Sequence, residues 1–280
     1  MAGELFVVGT PIGNLGDLSP RAAETLADVD FIAAEDTRVT LKILNHLEIK
    51  NKLISYHEHN RMEKGPSIIE RLLAGESCAL VTDAGMPAIS DPGQDLVRLC
   101  HENGIKVNSV PGPSAVITAL ALSGLEVSRF TFEGFLSVNK PSRKKHLEEI
   151  KTERKTMVFY EAPHKLAATL HDLYVTLGDR RIALVKELTK IHENVEFTTL
   201  AEADGKYDGQ KIKGEFVIII EAKTEEELKA DEPETDPVAL AKEYIAQGMS
   251  VNEAAKNAAK ATGAKKSDIY KQLVDQEAGK

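Results

Sequence analysis

The sequence lacks any apolar run long enough to cross a membrane. Its 280 residues are 42% hydrophobic and 28% charged, and every apolar run falls well short of the roughly 18 residues of a membrane helix. The first residues, MAGELFVVG, contain no basic segment ahead of the apolar run, as a secretory signal would. We therefore expect a cytoplasmic protein with no membrane association.

Cysteine is scarce as well. Cys78 and Cys100 are the only two, and the sequence shows neither a CxxC spacing nor a partnering histidine pattern typical of a metal site. Two isolated cysteines in apolar stretches do not make a disulfide framework. They are typical of small, buried, unreactive thiols.

An excess of positive charge is also missing, because the formal net charge is −9. Binding to polyphosphate relies on Lys and Arg, so this balance argues mildly against a surface covered with nucleic-acid contacts. However, eight acidic residues lie between Glu221 and Asp236. That acidic, proline-containing segment cannot bury enough apolar surface to fold alone, and we predict a linker at 224–237, with a frayed helix end as the alternative.

The segment after the linker has helix signals and a different charge. Residues 238–280 hold seven lysines and five acidic residues. Ser250 and Glu253 have capping-box spacing, Gly263 marks a helix end, and Ser267 is placed to cap a last helix. We predict a small helical basic domain at 238–280, for which RNA contact and an ordinary solvated helix face remain equally open.

The first part of the chain alternates short Val- and Ile-rich runs with stretches of helical spacing. This alternation predicts an α/β domain at 1–113 with a mostly parallel sheet. After the motif VPGPSA the pattern changes, and we predict a mixed α+β domain at 114–223. In that domain VEFTTL and EFVIIIEA have no evident helix between them, and we expect them to pair antiparallel.

Three loops rich in glycine and proline follow predicted strands of the first domain. They are GTPIGNLGD (Gly9 to Asp17), TDAGMPAISDPG (Thr82 to Gly93) and VPGPSA (Val110 to Ala115). Loops after parallel strands point into one shared crevice. Glycine lets the main chain approach a ligand and proline stiffens the loop, so the three loops predict a rigid wall for a cofactor.

These loops do not match the known phosphate-binding patterns. The spacing of Gly9, Gly13 and Gly16 fits neither a P-loop nor the dinucleotide fingerprint, and no lysine follows them to meet a phosphate. The alternative interpretation is a set of helix entries, since Ser90 or Asp91 before Pro92 forms a good helix start. That alternative explains one loop but not three at adjacent strand ends.

Polar side chains follow three other predicted strands. The motifs are AAEDTR with Glu35, Asp36 and Arg38; YHEHN with His57, Glu58, His59 and Asn60; and FYEAPHK with Tyr160, Glu161, His164 and Lys165. His57 and His59 alternate along a predicted strand, so they would share one face and could bind a metal together with Asp36 or Glu35. No recognised metal spacing accompanies them. We favour a polar rim facing a substrate and predict no metal.

Taken in order, these motifs resemble the tetrapyrrole-methylase fold family. The ordered set VVGTPIGNLGDLSPRA, FIAAEDTR, HEHN, TDAGMPAISDPG, VPGPSA, FEGFL, FYEAPH, KELTK and KGEFVI spans nearly the whole chain up to the linker. Within that family it is closest to the bacterial 16S ribosomal RNA methyltransferases that modify the ribose 2′-O of a decoding-centre cytidine. The resemblance implies a two-domain α/β fold whose second domain completes the cofactor cleft, S-adenosylmethionine as cofactor, ribosomal RNA or the assembled small subunit as substrate, and a homodimer.

The resemblance also implies site residues. Its cofactor contacts fall on Pro11, Ala84, Gly85, Met86, Ile89, Ser114, Ala115, Glu161, Ala162 and Leu188. A ribose hydroxyl needs a base to remove its proton, for which the candidates are Asp36, His59 and Glu35, with Arg38 and Asn60 holding a phosphate or the ribose. For RNA phosphates the segment KPSRKKH offers Lys140, Arg143, Lys144 and Lys145, although a solvated helix start explains it equally well.

Two other functions remain open from the sequence. A methyltransferase acting on a tetrapyrrole or another small metabolite would share the cofactor loops without needing a basic tail. A non-catalytic ribosome-associated binding protein would keep the basic segments but would not bind S-adenosylmethionine.

Overall fold

The computed structural model describes residues 2–224, 227 and 236–278. The chain forms two compact units, Met1–Ala222 and Lys223–Lys280. Most of the predicted linker at 224–237 lies outside the described residues. Among the described helices, none is long and apolar enough to cross a membrane.

The first sheet is parallel throughout, as the alternating pattern predicts. Its strands run in the order β3-β2-β4-β1-β5. They are β1 (Glu4–Val8), β2 (Phe31–Ala34), β3 (Leu53–Ser55), β4 (Cys78–Val81) and β5 (Lys106–Val110). The helices between them are α1 (Pro20–Asp28), α2 (Thr37–His46), α3 (Arg61–Leu73) and α4 (Gln94–Glu102), and a short 3₁₀ helix spans Leu15–Asp17.

The central strands of this sheet are buried on both faces. In β2, Phe31 and Ala33 join a core with Ile68 of α3, whereas Ile32 and Ala34 join a second core with Leu26 of α1. Successive side chains of a strand point to opposite faces, so helices cover both sides. This explains why these strands read as continuous apolar runs.

The two cysteines are buried in the first of these cores, as expected. Burial raises the pKa of the Cys78 thiol to about 12 and that of Cys100 to about 11. A thiol that stays protonated is a poor nucleophile and a poor metal ligand, so both side chains serve packing.

The second sheet is mixed, with the strand order β6-β7-β10-β8-β9. Its strands are β6 (Phe130–Gly134), β7 (Thr156–Glu161), β8 (Arg181–Lys186), β9 (Asn194–Thr199) and β10 (Phe216–Ile220). The accompanying helices are α5 (Ala115–Leu122), α6 (Lys140–Ile150), α7 (Leu166–Leu177) and α8 (Leu200–Tyr207). β6 runs parallel to β7, and the remaining neighbours are antiparallel.

The expected pairing of VEFTTL with EFVIIIEA is wrong. β9 pairs with β8, and β10 lies between β7 and β8. Helix α8 also separates the two segments in sequence. The reason is burial: β10 is buried along its whole length and needs a neighbour on each side, whereas β9 is only partly buried and takes the edge.

The second compact unit contains α9 (Pro237–Ala246), α10 (Val251–Thr262) and α11 (Lys266–Ala278) around a small core that includes Ala254 and Ile269. Ser250 caps α10 by accepting from the Glu253 N–H, and Gly263 ends the helix with φ 73°. Both signals are confirmed. Ser267, expected as a cap, lies in the first turn of α11, because that helix already begins at Lys266.

The three glycine-rich loops are joined to one another by main-chain contacts. Thr10 and Gly85 exchange backbone hydrogen bonds of 2.9 and 3.1 Å, and the Thr10 hydroxyl donates to the Thr82 carbonyl at 3.1 Å. Gly9 packs against Gly112: a Cβ placed on Gly9 would lie 2.6 Å from the Gly112 Cα. These glycines therefore allow one loop to touch another, a role separate from approach to a ligand.

The Gly9–Gly112 contact predicts that adding one methyl group at Gly112 lowers the stability of the protein. A Cβ on Gly112 would lie 2.8 Å from Gly9 backbone atoms, so Gly112→Ala must push two loops apart. We expect a loss of about 1–3 kcal/mol in the free energy of unfolding, the usual cost of overpacking, measured by thermal or urea denaturation.

Gly205→Ala is the matched control. Gly205 lies inside α8, and its added Cβ would meet nothing within 4 Å. Alanine is a better helix former than glycine, so this variant should gain up to about 1 kcal/mol. Equal stability of the two variants would contradict the contact between the loops.

Candidate active site

A cavity of about 630 Å³ lies in the first compact unit. One wall consists of residues of the loops TDAGMPAISDPG and VPGPSA, and Ile12 of the loop GTPIGNLGD also lines the cavity. Residues at the ends of β7, β8 and β10 in the second sheet line the cavity as well. Its volume falls within the range of small-molecule and cofactor sites. The lining residues are Ile12, Glu35, Thr82, Asp83, Ala84, Gly85, Met86, Ile89, Ser90, Asp91, Ser114, Ala115, Val116, Phe135, Tyr160, Glu161, Ala162, Pro163, His164, Val185, Leu188, Glu215, Phe216 and Val217.

Most residues predicted to contact the cofactor line this cavity. Nine of the ten do so: Ala84, Gly85, Met86, Ile89, Ser114, Ala115, Glu161, Ala162 and Leu188. Pro11 is buried and does not line it, and its neighbour Ile12 does. Thr10, which precedes Pro11, is fixed by its bridge to Gly85.

Glu161 is the charged residue among these nine, and hydrogen bonds hold its side chain in place. The residue is only 3% exposed. Its carboxylate accepts from the Ala162 N–H at 2.8 Å and from the Thr169 hydroxyl at 2.5 Å. Thr169 in turn accepts from the Arg143 guanidinium at 2.9 Å. Glu161 is thus a fixed negative group in the cavity wall.

Arg143 is one of the four cations predicted to contact RNA, and the structure argues against that role. Its Nε lies 2.6 Å from Asp172 Oδ2 on α7, and its side chain is 16% exposed. A guanidinium paired with a carboxylate and bonded to Thr169 holds α6 against α7. The other three, Lys140, Lys144 and Lys145, are exposed on α6.

Three carboxylates line the cavity near the end of β4. Glu35 accepts from the Thr82 hydroxyl at 2.5 Å. Burial, and then the negative charge of Glu35, raises the pKa of Asp83 and of Asp91 above the ordinary aspartate value. A carboxyl group with a raised pKa is a stronger base than an exposed one. Raised pKa values of this kind are common at functional sites.

Asp36, a predicted catalytic base, is held in a different arrangement. Its carboxylate caps α2 by accepting from the Arg38 N–H and also pairs with the Arg38 guanidinium at 2.6 Å. Hydrogen bonds from the Arg38 side chain lower the pKa of Asp36 to about 2. Such a weak base is poorly suited to remove a proton from a hydroxyl. Neither Asp36 nor Arg38 lines the cavity.

A second cavity, of about 570 Å³, opens beside the first. Its lining residues are Glu35, His57, Glu58, His59, Ala88, Ile89, Ser90, Asp91, Pro92 and Gln94. Glu35, Ile89, Ser90 and Asp91 also line the first cavity, so these four residues form a shared rim. Of the predicted catalytic residues, Glu35 and His59 lie in this second cavity.

The predicted strand alternation of His57 and His59 is wrong. β3 ends at Ser55, and the two histidines lie in the following turn, with ring centroids 6.0 Å apart. Asn60 holds this turn, since its amide accepts from the His57 N–H at 2.9 Å and donates to the Ser55 carbonyl at 3.1 Å. Those bonds give Asn60 a local structural role. Within residues 2–224 and 236–278 no group of three or more His, Cys, Asp or Glu is placed to hold a metal.

Asp83 and Asp91 were not among the catalytic residues predicted from the sequence, although both lie within the TDAGMPAISDPG motif. It also passed over Phe135, which lines the first cavity and packs edge-on to Tyr160 at 5.5 Å. A signal for the aspartates was present: Asp91 directly precedes Pro92 and Asp83 lies two residues before Gly85, in a loop that follows a buried strand.

The comparisons with known proteins agree with this geometry. The family model for tetrapyrrole (corrin/porphyrin) methylases matches residues 4–204. The chain therefore belongs to the tetrapyrrole methylase family, which confirms the expected fold class.

Several curated relatives share one name, ribosomal RNA small subunit methyltransferase I. The protein from Halalkalibacterium halodurans is 46% identical over 274 residues, covering 96% of this chain and 93% of the relative. The protein from Synechocystis is 44% identical and covers 99% of both chains. The one from Escherichia coli O157:H7 is 42% identical, covering 98% and 96%.

Solved structures share the fold at low identity. A conserved hypothetical protein from Aeropyrum pernix has a TM-score of 0.64 at 16% identity, covering 82% of this chain and 88% of the other. A cobalt precorrin-4 methyltransferase has a TM-score of 0.58 at 16% identity, covering 78% and 94%. The family match and the named relatives confirm the expected enzyme class and cofactor: the chain is an S-adenosylmethionine-dependent methyltransferase.

Proposed function

We propose that this enzyme methylates the ribose 2′-hydroxyl of a cytidine in the decoding centre of 16S ribosomal RNA. The names of the relatives, at 42–46% identity over nearly the full chain, support small-subunit ribosomal RNA as the substrate. The structural observation that carries the proposal is the rim shared by the two cavities. A donor in one cavity and an acceptor in the other would meet at Asp91.

The residues of the first cavity fit S-adenosylmethionine. Its wall combines small or apolar side chains such as Ala84 and Leu188 with the carboxylates Glu35, Asp83 and Asp91. The apolar wall suits the adenosine and the methionine chain, and the negative charges attract a positive sulfonium. When bound, this cofactor supplies an electrophilic methyl group, so the chain's own residues have to orient the acceptor and exclude water.

Asp91 is the residue we assign as general base. It lies on the shared rim, is partly buried and has a raised pKa, and none of these holds for a free surface aspartate. We propose that its carboxylate takes the proton of the ribose 2′-hydroxyl, so that the oxygen could accept the methyl group that bound S-adenosylmethionine would supply, with the S–C bond broken and S-adenosylhomocysteine as the leaving group. Glu35, fixed by Thr82, keeps the local charge negative.

We further propose that the enzyme acts in the cytoplasm and as a homodimer. The dimer is an expectation from the family resemblance. Exposed apolar groups support it, since Phe197 on edge strand β9 and Leu122 at the end of α5 are both exposed, and Gly124 lies against the Phe197 ring. Sedimentation equilibrium of the purified chain measures this directly.

The function is tested by locating the methyl group. We expect label from S-adenosyl[methyl-³H]methionine to appear on small-subunit ribosomal RNA, in naked RNA or in assembled subunits, and on the 2′-oxygen of a cytidine. Label on an added tetrapyrrole instead would support a small-molecule methyltransferase. Calorimetric binding of S-adenosylmethionine without transfer to any of these substrates would contradict the proposal.

The assignment of the base predicts unequal effects of two variants. Asp91→Asn should lower kcat by about 10²–10⁴-fold, the usual contribution of a general base, while calorimetry still detects cofactor binding, because Glu35 and Asp83 keep their charge in the cavity. Asp36→Asn, which keeps a side chain able to cap α2, should lose far less. The reverse order of losses would make Asp36 the base.

The same assignment predicts the pH dependence. The base must be ionised to act, so the rate falls as pH drops through the Asp91 pKa, which lies above the ordinary aspartate value. Glu35→Gln removes a negative neighbour that raises this pKa, so the acidic limb of the rate profile should move to lower pH. Glu63→Gln on the exposed side of α3 is the control and should leave the limb in place.

RNA phosphates are the proposed partners of the exposed lysines on α6. Replacing Lys140, Lys144 and Lys145 by glutamine should weaken RNA binding and flatten its dependence on salt, because fewer counterions are released. Arg143→Gln is the contrast, since loss of its pair with Asp172 should lower stability more than the salt slope. An unchanged slope in the triple variant would remove α6 from the RNA path.

A further inference from the structure

The proposed function places the acceptor nucleotide in the second cavity but does not say which part of that nucleotide enters it. It is formed by the turn after β3 and by the end of the second loop. Because it shares a rim with the cofactor cavity, a group bound there lies directly beside the methyl donor. Ile89 on that rim is 69% exposed despite being apolar, and a bound ligand would cover it.

The negative charge of the second cavity disfavours the phosphate group of a nucleotide. Its lining includes the carboxylates Glu35, Glu58 and Asp91 and neither a lysine nor an arginine. A phosphate placed here would be repelled. The surface instead favours a neutral group with N–H donors, and the two imidazole rings with Pro92 and Ile89 offer faces on which a flat ring can pack.

Two polar groups of this cavity have spare hydrogen-bonding capacity. The Nδ1 atom of His57 is buried without a partner among the described residues. Arg61 approaches Glu58 at 3.1 and 3.0 Å, and both contacts are to Oε1. Arg61 thus fixes the Glu58 carboxylate and leaves Oε2 available to accept. An unpaired buried polar atom is costly, so a ligand that supplies the partner is favoured.

We propose that the second cavity receives the base of the acceptor nucleotide and that Glu58 accepts a hydrogen bond from its exocyclic amine. Cytosine carries an N4 amine of this kind, whereas uracil presents a carbonyl oxygen at the same position. A base extruded from the RNA into this cavity places its ribose at the shared rim, beside Asp91. The inference rests on the proposed function and adds the feature that selects cytidine.

The test compares small subunits reconstituted with cytidine or uridine at the target position. We expect the wild type to prefer cytidine strongly. Glu58→Gln should lower kcat/KM for cytidine by roughly tenfold or more and raise the uridine-to-cytidine ratio, because its amide nitrogen can donate to the uracil oxygen. Calorimetry with S-adenosylmethionine should give the wild-type affinity in the variant.

Glu63→Gln is the matched control. Glu63 lies near Glu58 in sequence, pairs with Lys64, and lines neither cavity, so its variant should keep the wild-type ratio. An unchanged ratio in Glu58→Gln, with an active wild type, would overturn the base pocket alone. A wild type that methylates no ribosomal RNA would overturn the proposed function and this inference together.

A crosslinking experiment locates the base without needing turnover. With 5-iodocytidine at the target position, irradiation should attach the RNA to residues 57–59, 88–92 or 94, which line the second cavity. His59→Ala should reduce the yield, and His101→Ala, an exposed histidine in the last turn of α4, should not. Crosslinks confined to other segments would overturn the inference.

Discussion

The candidate site depends on direct main-chain contact between loops that are far apart in sequence. The paired hydrogen bonds of Thr10 and Gly85 fix the first loop to the second, and the packing of Gly9 on Gly112 fixes the first to the third. A side chain at Gly9 or Gly112 would hold the first and third loops apart. Because the contacts are made by the backbone, the wall of the cofactor cavity is already built without a ligand, and a preformed wall reduces the entropy lost on binding.

The negative and positive side chains of the proposed site lie on different elements. Carboxylates surround both cavities, where a sulfonium and a base amine would bind, and the exposed lysines on α6 lie on a different element, where phosphates would bind. This separation explains how an enzyme with a net charge of −9 can still act on RNA. Similar-looking acidic groups also differ in role: Asp36 is neutralised by Arg38, whereas Asp91 is kept basic by burial and by Glu35.

Much of the fold follows from local sequence, and the errors have physical causes. Continuous apolar runs bounded by glycine and proline identify buried strands, so the parallel sheet and its three loops were predictable. The pairing of β9 was not, because edge and centre positions depend on how many neighbours a strand must have. The role of Arg143 was also hidden, since a cation in a basic segment looks available until Asp172 on another helix is found beside it.

The sequence by itself determined the order of strands and helices in the first domain, the position of the cofactor loops and the membership of a methyltransferase family. These depend on residue type and on spacing along the chain. Only the tertiary structure decided which carboxylate has a raised pKa, which cation is already paired, and that two cavities share one rim. Burial and distance between remote segments set those properties, and neither is encoded in any short stretch of residues.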